Sequence, residues 1–77
     1  MQSVSIAAAF GEVLRDCRLK AGLSQEALAG IAEVDRTYVS LLERGLRQPT
    51  LHTLFNLARA LSVSPSTMVS RTSALVG

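Results

Sequence analysis

Between residues 6 and 20 the apolar positions fall at Ile6, Phe10, Val13, Leu14 and Cys17, so all five lie along one face of a helix, with Gly22 placed to stop it. Ser24 predicts an N-cap for a second helix, Gln25 to Ala32, because its hydroxyl can accept from a free first-turn amide; Leu28, Ile31 and Ala32 would face inward. A third helix is bracketed by Asp35, a carboxylate cap, and by Gly45, which can adopt the left-handed conformation that closes a helix. Thr50 can cap a fourth, in which Leu51, Leu54, Phe55, Ala58 and Leu61 form a broad apolar stripe. Ser64 and Pro65 form a cap and first-turn pair for a short fifth helix holding Met68 and Val69. No stretch alternates with the period of a strand. The pattern predicts an all-α, compact five-helix bundle forming one domain over residues 1–77, with its core at about 6–70 and frayed termini, Arg71 to Gly77 included.

Composition changes this picture in two respects. Hydrophobic residues make up 48% of the chain and aromatic ones only 4%, yet a body this small buries only about 60% of the surface its unfolded chain exposes. Some apolar surface should therefore face a second subunit. Net charge is a modest +2, but it is unevenly spread: Met1 to Asp35 carries three basic and five acidic residues, and Arg36 to Gly77 five basic and one acidic. The positive field begins where the third helix begins.

Other chemistry is sparse. One cysteine permits no intrachain disulfide, and no Cys/His pairing offers a metal site, so no metal or cofactor is expected and a reducing, cytoplasmic setting fits. Cys17 reads as a small buried hydrophobe and His52 as a surface residue. The opening MQSVSIAAAF lacks the basic leading segment of a signal peptide, and no run approaches the roughly 20 apolar residues that span a bilayer, so no membrane association is expected. Nothing resembles a catalytic constellation or a glycine-rich phosphate loop, and the chain reads as a non-enzyme.

The third helix spends its outer face unusually. At about 100° per residue, Val39 and Leu42 point one way, flanked by Tyr38 and Glu43, while Arg36, Ser40, Arg44, Thr37 and Leu41 sweep the opposite arc. Two helices joined by a short turn, the second capped and presenting such a face, form the arrangement that inserts a helix into the major groove. Arg36 sits in a first turn, where the helix dipole disfavours a cation by about 0.3 to 1 kcal/mol, so it is not there to stabilise the helix. Its guanidinium can pair bidentately with guanine, Thr37 can meet a phosphate or a thymine methyl, and Leu41 offers apolar contact only.

On these residues the chain resembles the XRE family of helix-turn-helix regulators, which includes phage repressors, Cro proteins and the controllers of restriction-modification systems. LSQEALAGIAEVDRTYVSLLERG carries the likeness, and PTLHTLFNLARALSVSPSTMV matches the family's last two helices. DRTYVS in particular is similar to the recognition helix of the restriction controllers. The resemblance implies a lambda-repressor-like fold, duplex DNA as partner and transcription regulation by operator occupancy. It implies base contacts from Arg36, Thr37, Ser40 and Leu41, and phosphate contacts from Gln25, Arg47 and Gln48. Two roles stay open for Arg44, a phosphate contact or a helix-end cation, and two for Tyr38, a DNA contact or a packing residue at the core edge. The resemblance further implies a partly buried salt bridge between Arg18 and Glu43. It also puts Glu33 where the family usually has Gly, in a turn of positive φ.

A homodimer on a palindromic operator is expected, since one helix-turn-helix makes too few contacts for specificity. Leu57, Pro65, Met68 and Val69 are the candidate dimer surface, and no small-molecule ligand is expected. The competing class is a protein-interaction module of the same fold, such as an antitoxin covering a toxin. Salt dependence of binding to random duplex separates the two.

Overall fold

The computed structural model describes residues 4–77, so the expectation of a frayed amino terminus falls partly on residues outside the described ones. Among the described residues there are five helices and no strand: α1 (Ile6–Lys20), α2 (Gln25–Ala32), α3 (Arg36–Glu43), α4 (Leu51–Leu61) and α5 (Pro65–Val76). Every helix starts on a hydroxyl or carboxylate cap. Ser24 accepts from the Ala27 amide at 3.0 Å, Asp35 from Thr37 at 2.9 Å, Thr50 from Thr53 at 3.1 Å and Ser64 from Ser66 at 3.2 Å, as the sequence predicts, and Ser5 does the same for α1.

The core gathers Phe10, Val13, Leu14 and Cys17 from α1, Leu28 and Ala32 from α2, Val39 and Leu42 from α3, Leu54, Leu57 and Leu61 from α4, and Met68 from α5. Two residues of the expected dimer surface therefore have to be reassigned. Leu57 and Met68 are both 0% exposed. α4 turns Leu57 with Ala58 into the core, and α5 closes over them with Met68, so neither side chain can meet another copy.

The surface left outward is different. Leu51 and Phe55, expected in the stripe, are 75% and 54% exposed, and Val69 is 52% exposed. Ile31 and Ile6 also face outward instead of inward. The buried stripes are narrower than the apolar pattern predicts, because helices of this length have only one narrow side within reach of so small a core.

The carboxyl-terminal segment is ordered helix, not frayed. Thr72 is buried with its hydroxyl on the Met68 carbonyl at 2.8 Å, and Arg71 reaches back to α1, donating to the Asp16 carboxylate at 2.6 Å and to Cys17 Sγ at 3.3 Å. Asp16 also holds Lys20 at 3.1 Å. Hydrogen bonds from Arg71 first, and then Lys20, keep the Asp16 carboxyl below the ordinary carboxylate range.

Glu33 closes α2 in the left-handed conformation, φ 59° and ψ 45°, a geometry that glycine adopts without steric cost. A side chain there costs about 1 kcal/mol. Glu33→Gly is therefore expected to leave stability unchanged or raise it by up to about 1 kcal/mol in denaturant melts. A clear loss would contradict the strain assigned to this turn.

Candidate nucleic-acid interface

The helix-turn-helix is held by a carboxylate at its centre. Glu43, the last residue of α3, accepts from Arg18 Nε at 2.6 Å, from Arg18 Nη2 at 3.0 Å and from Gln25 Nε2 at 3.1 Å. The remaining arm of Arg18 donates to the Leu23 carbonyl at 2.9 Å, just before α2. One ion pair thus ties α1, the entrance of α2 and the exit of α3 together. The side chains of Arg18 and Glu43 are only 11% and 4% exposed, so removing either leaves the other charge largely desolvated. Arg18→Ala or Glu43→Ala alone is expected to cost more than about 1 kcal/mol, above the value of an exposed pair. A double-mutant cycle measures it, and zero coupling would contradict the role.

The amide of Gln25 is a participant that sequence spacing did not reveal. Its side chain braces Glu43, so one amide hydrogen is committed to the fold. The other amide hydrogen and its backbone N–H at the start of α2 are what it can offer to a phosphate.

α3 presents Arg36 and Thr37 exposed, with Ser40 and Leu41 half-buried beside them. Leu41 is thus less exposed than its position on the helix arc implied. Arg44 caps the end of α3 and its side chain is exposed; Gly45 follows at φ 73°, closing the helix as expected. Tyr38 packs half-buried against the core, and its hydroxyl donates to the Gln48 carbonyl at 3.3 Å. That bond fixes the loop after α3, which carries Arg47 and Gln48 exposed. Tyr38 thus packs at the core edge and bonds to the loop, and its hydroxyl oxygen retains capacity to accept. Arg36, Thr37, Ser40, Leu41, Arg44 and the Arg47–Gln48 loop all belong to α3 or directly follow it, and the Glu43 network sets their orientation on the bundle.

The candidate dimer residues separate into two groups. Leu57 and Met68 are core, as described above. Pro65 and Val69 remain at the surface, where with Leu51, Leu54 and Phe55 they line an open depression between α4 and α5. An adjoining groove of about 400 Å³ runs between Ile6 and Phe10 of α1 and Val69, Thr72 and Val76 of α5, sharing Leu54, Val69 and Ser73 with that depression. The apolar face is continuous across α4, α5 and the start of α1.

The helix-turn-helix family model matches residues 14–68. Control protein C.BamHI of Bacillus amyloliquefaciens is 39% identical over 64 residues, covering 82% of this chain and 79% of the relative. The crystal structure of the restriction-modification controller C.AhdI from Aeromonas hydrophila superposes with a TM-score of 0.79 at 42% identity, over 80% of this chain and 94% of that one. The controller C.Esp1396I, solved as a tetramer in complex with its natural 35 base-pair operator, superposes with a TM-score of 0.82 at 29% identity, over 95% and 96% of the two chains. The chain belongs to the XRE-type helix-turn-helix family of DNA-binding transcriptional regulators. Among the described residues no helix is long and apolar enough to cross a membrane.

Proposed function

We propose that this chain binds operator DNA as a homodimer, with α3 in the major groove, and regulates transcription by occupying that operator. The observation that carries the reading is the outer face of α3, whose polar side chains stand free while its inner edge and end are locked to the bundle through Val39, Leu42 and Glu43. A helix fixed in this way can place side chains against base edges without losing much freedom on binding. Arg36, Thr37, Ser40 and Leu41 are assigned to bases. Gln25, Arg44, Arg47 and Gln48 are assigned to phosphates, with Tyr38 positioning the Arg47–Gln48 loop and able to add a hydroxyl contact.

The likeness to restriction-modification controllers supports operator binding, and the complex of C.Esp1396I with its operator supports an oligomer on DNA. The operator of the present chain is taken to be palindromic, because a two-fold dimer reads two inverted half-sites. Its homodimer surface is assigned to Leu51, Phe55, Pro65 and Val69, large apolar side chains gathered on one face of a small body.

Two arginines provide the test. Arg36→Ala should weaken binding to a selected operator by about 1 to 3 kcal/mol and relax preference at one base pair per half-site, whereas Arg47→Ala should weaken every duplex alike. Equal losses on operator and random DNA for Arg36→Ala would remove its base-reading role.

A further inference from the structure

A cleft of about 230 Å³ opens where α1, α2 and α3 meet, lined by Arg15, Arg18, Gln25, Ser40, Glu43 and Arg44. Two of its charges cancel, since Arg18 is paired with Glu43. The net charge of the lining comes from Arg15 and Arg44, both exposed and neither in an ion pair among the described residues. Neither carboxylate near Arg15 in sequence, Glu12 or Asp16, is paired with it. Asp16 holds Arg71 and Lys20, and Glu12 lines a separate depression with Arg71, Ala74 and Leu75 of α5.

Arg15 also lies mid-helix, away from the last turn of α1, where Arg18 and Lys20 gain from the helix dipole. Arg15 shares the cleft with Arg44, and neither guanidinium has a carboxylate partner among the described residues. Two unpaired guanidinium groups, with the Ser40 hydroxyl and the Gln25 amide on the same walls, form a set of donors suited to a single oxyanion. Ser40 and Arg44 belong to the outer arc of α3, so an anion in this cleft lies against the edge of the surface assigned to DNA.

We propose that Arg15 is a phosphate-anchoring residue which, with Arg44, clamps a DNA backbone phosphodiester in the cleft between α1 and α3. The placement of that phosphate rests on the assignment of α3 to the major groove. The clamp extends the contact surface onto α1, outside the helix-turn-helix itself. It fixes the tilt of the duplex against the carboxyl-terminal end of α3 and carries no sequence information.

The test is a salt titration of Arg15→Ala, Arg15→Lys and Arg44→Ala on a selected operator and on a random-sequence duplex. Arg59→Ala serves as control, an exposed arginine near the end of α4 that does not line the cleft. Arg15→Ala should flatten the plot of log affinity against log salt by up to about 0.9 per bound protomer, and weaken both duplexes by the same factor, up to roughly ten-fold per protomer near 0.1 M salt. Arg15→Lys should keep most of the slope, Arg44→Ala should match Arg15→Ala, and Arg59→Ala should match the unaltered chain. An Arg15→Ala protein with the slope and affinity of the control would overturn the clamp, as would a loss confined to the operator. Arg36→Ala run alongside tests the α3 assignment separately. If it lost no operator preference that assignment would fall, and the Arg15 slope would still decide whether the cleft holds a phosphate.

Discussion

Val69→Asp is expected to convert the protein to a monomer and to lower operator affinity by two orders of magnitude or more, while binding to random duplex falls far less. Val69 stands on α5 among Leu51, Phe55 and Pro65, and its side chain is at the surface of the monomer, so an aspartate there meets water and leaves the core intact. In a two-fold interface the same patch meets itself, and each substitution would place two carboxylates in one apolar contact. Losing the dimer removes the second half-site, whose engagement from a tethered partner is worth about 10²- to 10⁴-fold. Sedimentation at micromolar concentration reads the first effect and operator titration the second. Phe55→Asp should behave alike. A Val69→Asp protein of twice the chain mass would place the dimer contact elsewhere.

Gly11→Ala is the second large effect. Gly11 is buried where α1 crosses the end of α3, and an added Cβ would lie 2.5 Å from the Leu42 carbonyl oxygen and 2.6 Å from that of Glu43. Both contacts are with backbone, which cannot swing aside as a side chain can. The helix must move, and overpacking of this kind costs about 1 to 3 kcal/mol, against a gain of roughly 1 kcal/mol from replacing a helical glycine. The loss should dominate, because at those distances the displacement falls on the end of α3 and on the Glu43 network together. Gly30→Ala is the matched control: Gly30 lies in α2 with nothing within 4 Å of an added Cβ. Urea melts should show Gly30→Ala stabilised by up to about 1 kcal/mol and Gly11→Ala clearly destabilised. Equal gains would mean that α1 and α3 are free to separate.

The features legible in the sequence were local ones. Ser24, Asp35, Thr50 and Ser64 announced their helices because a cap satisfies amides within three residues of itself. The left-handed Glu33 and the Arg18–Glu43 pair were legible because the resemblance supplied the register. Features set by how helices cross were hidden. The Arg71–Asp16 pair joins residues 55 apart, and no pattern within α5 marks it, so the sequence alone predicts a frayed carboxyl terminus. The close approach at Gly11 depends on the crossing of α1 over α3.

The exchange of roles in α4, Leu57 inward and Phe55 outward, follows from α5 packing over one side of a helix whose apolar positions occupy more than half its circumference. A signal was available at the site as well: Arg15 has no last-turn position to explain its charge, but only the shared cleft with Arg44 gives that observation a direction.

On the proposed reading, two copies of α3 read two inverted half-sites. Selection of bound sequences from a random duplex pool, carried out in parallel with the unaltered chain and Arg36→Ala, tests it most directly. The expected outcome is a palindromic consensus with half-sites centred roughly 10 base pairs apart, and loss of preference at a single symmetric pair of positions for Arg36→Ala. A pool with no enriched inverted repeat, or a consensus unchanged by Arg36→Ala, would contradict it.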